Sequence, residues 1–383
     1  MSKKLHILFL SGWYPSRVLP SNGNFVQRHA EAVATKHKVT LVHVVTDENI
    51  NKKEIVEKTI NNVFTKIVYV PKVSNSFFKF LFFLKTYLNE INAIESFDLT
   101  HLNITFPKGI IALYVKFFKK KPYIISEHWS VFLPEDKAKL SFGKKMITKF
   151  IVANAKYVIC VSNSLKIEML KAGYKGNYKV IGNIVNTKLF FPKPKKNQLF
   201  EIVHISTFNE ESKNISGILS TIKKLSEIRS DFIFKIIGNT NNSELLETIK
   251  ELNIPSNLIK VEGFKPPSEI ATILQKANLY ISFSNYETFG IVMIEALACG
   301  TPVISTNTGI LIEMKTKKFI SIIPKNNKEA LLQSIINFLN CDTNFDLQQM
   351  HQLIEDKFSS KKIIEAYNQL YTSVLSSNKK LII

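Results

Sequence analysis

The sequence predicts an α/β protein of two doubly wound, Rossmann-like domains facing a cleft. Three observations carry that expectation. Short apolar runs alternate with helical patterns through most of the 383 residues, the mark of strand–helix–strand units and parallel sheets. The alternation stops at Phe190-Phe191-Pro192-Lys193-Pro194-Lys195-Lys196-Asn197 and then restarts. A chain of this length is long for one core and comfortable for two.

Taken in order, strands are expected at Leu5–Leu10, Val39–Val45, Ile67–Val70, Leu99–Leu102, Tyr123–Ser126, Tyr157–Val161 and Tyr178–Ile181. Helical patterns at Phe25–Thr35, Ile147–Ala155 and Ser164–Ala172 lie between some of them. After the break come strands at Ile202–Ile205, Phe232–Ile237, Leu258–Val261, Leu279–Phe283 and Val303–Ser305, and a helical tail over Lys361–Leu375. The expected domains are 1–190, a linker at 191–197, 198–360, and a tail at 361–383 that packs back on the first domain.

Composition narrows the classes. Lysine and arginine total 51 against 31 acids, a net charge of +20. That excess favours an anionic surface or substrate. Nucleic acid is excluded as the partner, because zinc-finger spacing, RNA-binding aromatic signatures and basic heptads are all missing. Cys160, Cys299 and Cys341 are too few for a disulfide framework, and no Cys-x-x-Cys pair suggests a metal. The first apolar run is too short for a secretion signal and no stretch reaches eighteen apolar residues, so a cytoplasmic protein is expected.

The most informative stretch is Ser284–Pro302. Within it Ile291–Ala298 is apolar on every side except at Glu295. A helix apolar all round is buried, and a carboxylate inside it is costly without a partner. Gly290 precedes this helix, Gly300 suits a left-handed cap and Pro302 stops continuation. Glu287 lies on the feeding loop, just past an expected strand end. A helix N-terminus suits a phosphate, and carboxylates suit sugar hydroxyls beside it. The arrangement reads as a nucleotide-sugar site.

On these residues the chain resembles the retaining glycosyltransferases of family 4, which have the GT-B fold and a Glu-x7-Glu motif, here Glu287 to Glu295. The resemblance covers essentially the whole chain and is strongest from Ile202 to Ala330. It implies that Glu295 holds ribose hydroxyls, Glu287 meets the donor sugar, and Thr288, Phe289, Gly290 and Ile291 present backbone N–H groups to the diphosphate and sugar. It implies Lys213 on the diphosphate, although the arginine usual a few residues earlier is missing. It also implies that the loop bearing Gly12 and Gly23 faces the cleft, toward the donor phosphate or the acceptor, and that His128 lies close to the reacting sugar, where its imidazole donates to a sugar hydroxyl or helps proton transfer. Glu127 either orients the His128 imidazole or faces solvent. Asn183 matches a family segment near the domain junction.

The implied reaction is retaining transfer of a sugar from a nucleoside-diphosphate sugar to a hydroxyl of a glycan or lipid-linked glycan, as in cell-surface polysaccharide or glycolipid synthesis. No Asp-x-Asp occurs, so no metal or other cofactor is expected, and Lys213 with the helix start would carry the leaving charge. The dense aromatic run Phe77–Leu88 with Lys79 and Lys85, and Lys116–Lys121 with Phe117 and Phe118, suggest peripheral contact with an anionic membrane, at the inner face of the cytoplasmic membrane. Two other functions stay open: a non-catalytic nucleotide-sugar-binding subunit of a transferase complex, and a sugar-nucleotide epimerase.

Overall fold

A computed structural model describes residues 4–20, 22–195, 199–238, 243–314, 318–340 and 345–379. Cys341, Lys196 and Asn197, all singled out above, lie outside the described residues. The chain divides into two compact units, one holding the residues through Phe132, Ala138–Ile184 and those from Ser360 onward, the other Leu133–Lys137 and Val185–Ser359.

The first unit is built from β1 (His6–Ser11), α1 (Asn24–Ala34), β2 (Lys38–Thr46), β3 (Glu54–Ile60), β4 (Val63–Val70), α2 (Ser76–Asn92), β5 (Leu99–Asn103), α3 (Gly109–Phe118), β6 (Tyr123–Glu127), α4 (Phe142–Asn154), β7 (Val158–Cys160), α5 (Asn163–Lys171) and β8 (Tyr178–Val180). The second contains β9 (Phe200–Ile205), α6 (Glu210–Lys213), α7 (Ile215–Ser226), β10 (Phe232–Ile237), α8 (Ser243–Glu251), β11 (Ile259–Glu262), α9 (Pro267–Lys276), β12 (Leu279–Ser282), α10 (Ile291–Ala298), β13 (Val303–Thr306), β14 (Ile320–Ile323), α11 (Lys328–Asn340) and α12 (Leu347–Phe358). The last helix, α13 (Ser360–Lys379), returns to the first unit.

The sheet orders are β3-β4-β2-β1-β5-β6-β7-β8 and β11-β10-β9-β12-β13-β14. Every pairing is parallel except β3 with β4. In each sheet the order reverses beside its first strand, between β1 and β5 in one and between β9 and β12 in the other. Ligands of open α/β sheets bind at the carboxyl ends of strands at such a switch point. The loops after β9 and β12, which carry Lys213 and Glu287, therefore leave the second sheet at its binding position.

The first core packs Ile7, Phe9, Val26, Val33 and Leu41 against Ile363, Tyr367, Tyr371 and Val374 of α13. The second packs Ile218, Ile222 and Leu225 with Phe232, Phe234, Leu279, Ile281 and Ile335. Two details differ from the sequence expectation. Phe191–Lys195 is docked and belongs to the second unit, whose first residue in this part of the chain is Val185. Lys195 Nζ donates to the carbonyls of Ala277 (2.5 Å) and Gly300 (3.1 Å), and its burial lowers its pKa to about 8.

A polar chain is buried in the first unit. His101 Nδ1 meets the Tyr371 hydroxyl at 2.8 Å and its Nε2 meets Ser126 Oγ at 2.7 Å. Ser126 Oγ meets the Tyr367 hydroxyl at 2.9 Å, and that hydroxyl lies 3.3 Å from His29 Nδ1. Burial lowers His29 to about 3 and His43 to about 4, and His101 well below the usual imidazole value.

These shifts set a pH dependence. Unfolded imidazoles titrate near 6.5, and the folded ones stay neutral below that value. Below about pH 6.5 the unfolded chain takes up protons that the folded chain refuses, so stability falls with pH, by about 1.4 kcal/mol per pH unit for each such histidine. Glu127, raised by burial, opposes the trend as it protonates. The urea midpoint is expected to drop between pH 7 and pH 5, and H43N should show a shallower drop; equal slopes would contradict the assignment.

Candidate active site

In the second unit, Lys213 ends the short helix α6, and Glu287 lies in the loop between β12 and α10. Lys213 Nζ donates to Glu287 Oε1 at 2.5 Å, and Ser284 Oγ donates to the same oxygen at 3.1 Å. The two side chains are only 20% and 15% exposed, so solvent screens this pair less than an ordinary surface pair. Asn285 ties the same loops together: its N–H donates to the Ser212 carbonyl and its Nδ2 to the Glu211 carbonyl, both at 2.8 Å.

Gly290 begins α10 at φ 82°, with no side-chain cap. The first N–H groups of a helix have no intrahelical acceptor, and here they follow directly on Thr288, Phe289, Gly290 and Ile291. Phe289 is buried, its ring edge-on to Phe358 at 5.5 Å, and its carbonyl accepts from the Ile310 N–H at 3.0 Å. The side chain is thus an anchor, and only the backbone at this position is free to meet a ligand. Met293 through Ala298 are buried, Glu295 among them. Gly300 closes the helix in the left-handed region at φ 72°.

Glu287 and Glu295 act on one buried neighbour, Tyr280. Its hydroxyl donates to the Ile205 carbonyl at 3.2 Å. Burial pushes its pKa up, and the charges of Glu287 and Glu295 push it further. His204 lies beside the Tyr280 ring, with centroids 6.3 Å apart. Burial holds His204 near 4, and Lys213 lowers it too. Its Nδ1 meets the Ile281 carbonyl and its Nε2 meets Ser206 Oγ, both at 2.9 Å. A neutral imidazole thus holds the loop after β9 to β12.

Sequence reasoning missed three backbone features of this site. Gly309 has φ 62°, and a Cβ there would lie 2.5 Å from the Phe289 carbonyl oxygen and 3.2 Å from Glu287 Cβ. A Cβ on Gly238 would lie 2.1 Å from the Ser206 carbonyl oxygen and 2.6 Å from the Phe208 ring. Phe208 itself sits at φ 57°, a left-handed conformation that is costly for a bulky residue and that clusters at functional sites. Lone glycines between strand signals were the available clue, but only the fold shows what they approach.

The remaining candidates, Gly12, Gly23 and His128, belong to the first unit. Gly23 has φ 72°, and a Cβ there would lie 2.3 Å from the Trp13 carbonyl oxygen. Gly12 is different: a Cβ there would make an ordinary contact with Lys108 at 3.7 Å. His128 is buried, its ring 4.4 Å from that of Phe25 and 5.7 Å from that of His29. Among the described residues neither ring nitrogen has a hydrogen-bond partner. Burial lowers its pKa well below 6.5; His29 and His101 lower it further, and the Asn183 side chain opposes them. His128 therefore stays neutral near pH 7. Glu127 neither orients that ring nor faces solvent. It is fully buried, with Oε1 accepting from the His128 and Trp129 N–H groups and Oε2 from the Thr105 N–H and hydroxyl.

No His/Cys/Asp/Glu cluster suited to a metal occurs among the described residues. Two Rossmann-like sheets, with a lysine, two glutamates and a helix start at the switch point of one, define the GT-B class of nucleotide-sugar transferases. Residues 23–189 match the model described as Glycosyltransferase Family 4, and residues 185–358 the model described as Glycosyl transferases group 1. The chain belongs to the retaining glycosyltransferases of family 4. An uncharacterised glycosyltransferase of Methanocaldococcus jannaschii is 27% identical over 93% of this chain and 96% of its own. Sucrose-phosphate synthase of Thermosynechococcus elongatus has a similar fold, with a TM-score of 0.79 at 18% identity, over 98% of this chain and all of that one. So does Anabaena HepE, solved with UDP and glucose, with a TM-score of 0.75 at 16% identity over 96% of this chain and all of that one.

The close approaches at the glycines predict a graded response. G309A and G23A should each destabilise by about 1–3 kcal/mol, because their new Cβ meets backbone in a left-handed conformation. G12A should melt within about 1 °C of the parent. Thermal melting of the three variants checks the order.

Proposed function

We propose that this family 4 glycosyltransferase moves a sugar, without a metal ion, from a nucleoside-diphosphate sugar to a hydroxyl of a glycan or lipid-linked glycan. The observation that carries the donor half is the convergence of Lys213, Glu287 and the start of α10 in one unit. As the sugar–phosphate bond breaks, the sugar gains oxocarbenium character and the diphosphate gains negative charge. Lys213 and the α10 N–H groups stabilise that diphosphate. Glu287 turns from its lysine toward sugar hydroxyls, and Glu295 holds the ribose. His128 offers its neutral ring to a hydroxyl. HepE, solved with UDP and glucose, makes a uridine nucleotide the first donor to try.

Exposed aromatic side chains support a membrane-borne acceptor. Phe77 and Phe78 on α2, Phe117 and Phe118 on α3, and Phe142 and Phe150 on α4 are all exposed, with Lys85, Lys119, Lys120, Lys144 and Lys145 near them in sequence. No helix among the described residues is long and apolar enough to cross a membrane. Aromatic and basic side chains presented together suit the interface of an anionic bilayer.

The donor half is tested by thermal shift and turnover. UDP at a hundred times its dissociation constant should add about 2.7 kcal/mol of stability. E295L, whose new side chain suits its apolar helix, should fold and lose that shift. K213M should reduce kcat by about a hundredfold or more, and EDTA should leave the parent turnover unchanged. An E295L protein with normal donor affinity and turnover would refute the assignment, and a parent that never turns over would favour a binding subunit. For the membrane contact, sedimentation with anionic vesicles should be strong at low salt and fall as salt rises. Absence of binding at low salt would rule it out.

A further inference from the structure

The first unit holds an apolar groove of about 240 Å3 between α2 and the start of α3, lined in part by Phe80, Phe83, Leu84, Ile110 and Ile111. Two lysines, Lys79 and Lys108, also line it. Their ammonium groups approach one ring: Lys79 Nζ lies 6.0 Å and Lys108 Nζ 5.9 Å from the Phe83 centroid. Among the described residues neither lysine forms an ion pair. Elsewhere on the same unit, Lys53 and Lys66 are each paired with Glu90. A cation withdrawn from water without a carboxylate is a costly arrangement. Its effect shows at Lys108, whose pKa burial, and then Lys79, lowers to about 8.

The position of the groove matters as much as its charge. Lys108 precedes α3, just past the carboxyl end of β5. Its Nζ lies 3.9 Å from where a Cβ on Gly12 would stand, past the end of β1. β1 and β5 are the strands between which the first sheet changes direction. The groove thus runs from the binding edge of the sheet along α2, whose first turn exposes Phe77 and Phe78.

We infer that this groove binds a lipid phosphate, the hydrocarbon lying between α2 and α3 and the phosphate between Lys79 and Lys108. The apolar walls answer the chain, and the two unpaired ammonium groups answer the anion. This deepens the transferase proposal, on which it rests for taking the lipid phosphate as the anchor of the acceptor. An uncharged lipid would leave the two cations unanswered, and a free phosphate would leave the walls unused.

Calorimetric titration with decyl phosphate, kept below its critical micelle concentration and without any nucleotide, tests the site. Decyl phosphate should bind the parent at least about tenfold more tightly than either inorganic phosphate or decyl maltoside. K108M and the surface variant K79M should each weaken it by about tenfold or more and leave decyl maltoside unchanged. Equal binding of decyl phosphate and decyl maltoside would overturn the inference. So would equal binding of inorganic phosphate, or indifference to both substitutions. If K108M fails to fold, K79M alone decides. Because no donor is present, failure here is separable from failure of the UDP shift or of turnover.

Discussion

The pairing of Lys213 with Glu287 is the interaction around which the second unit's site is arranged. It joins two loops that leave adjacent strands, β9 and β12, at the place where the sheet reverses its order. A lysine at that position attracts phosphate, and a carboxylate beside it would normally cancel the attraction. Two features keep the pair useful. Ser284 donates to the same Glu287 oxygen, so the carboxylate stays partnered if the lysine turns away. The start of α10 supplies fixed positive potential that no side-chain rotation removes. The site thus combines one side-chain cation with one fixed dipole.

The backbone around that pair is held by approaches that only glycine permits. Gly309 lies against the carbonyl of Phe289, and Gly238 against that of Ser206. Each lets a loop from a neighbouring strand press on one of the two loops that carry the pair. The strained Phe208 belongs to the same arrangement, since its ring fills the space beside Gly238. Hydrogen bonds from Asn285 to the Ser212 and Glu211 carbonyls complete it. A small displacement of either loop would change the reach of Lys213 as well as that of Glu287, so the site is rigid where the charges must be aimed.

The parts of this fold that were legible in the sequence are those with a periodic apolar signal. Phe232–Ile237 is the strand observed, and Ile291–Ala298 the helix observed, because burial leaves apolar runs that a single charged residue interrupts in each, Lys235 and Glu295. Strand β3 was missed because it is a mostly exposed antiparallel edge, EIVEKTI, with charges that blunt pairing with other chains. β14 was also missed, although strands as short as β12 and β13 were legible. Glu127 was legible as a notable acid but its task was not. Sequence adjacency suggested a partner for the His128 ring, whereas the carboxylate binds the backbone of the loop that carries it. Periodicity reports burial, but it carries no information about which loop a buried acid will pin.

The buried histidines show how the first unit keeps a polar interior without charge. His29 and His128 stand ring to ring, His29 and His101 are linked through the Tyr367 and Ser126 hydroxyls, and each charge would disfavour the next. Desolvation settles the matter by leaving all three neutral. Tyr367 and Tyr371 then supply the hydroxyls that neutral imidazoles need, and both come from α13. The return of the last helix to the first unit is therefore more than apolar packing: without its tyrosines, His101 and His29 would lose partners in a place where water cannot replace them. Among the described residues His128 has no hydrogen-bond partner for either ring nitrogen, whereas His29 lacks one only at Nε2. The anion-binding work proposed for this unit falls instead to Lys79 and Lys108, which share no hydrogen bond with that cluster among the described residues.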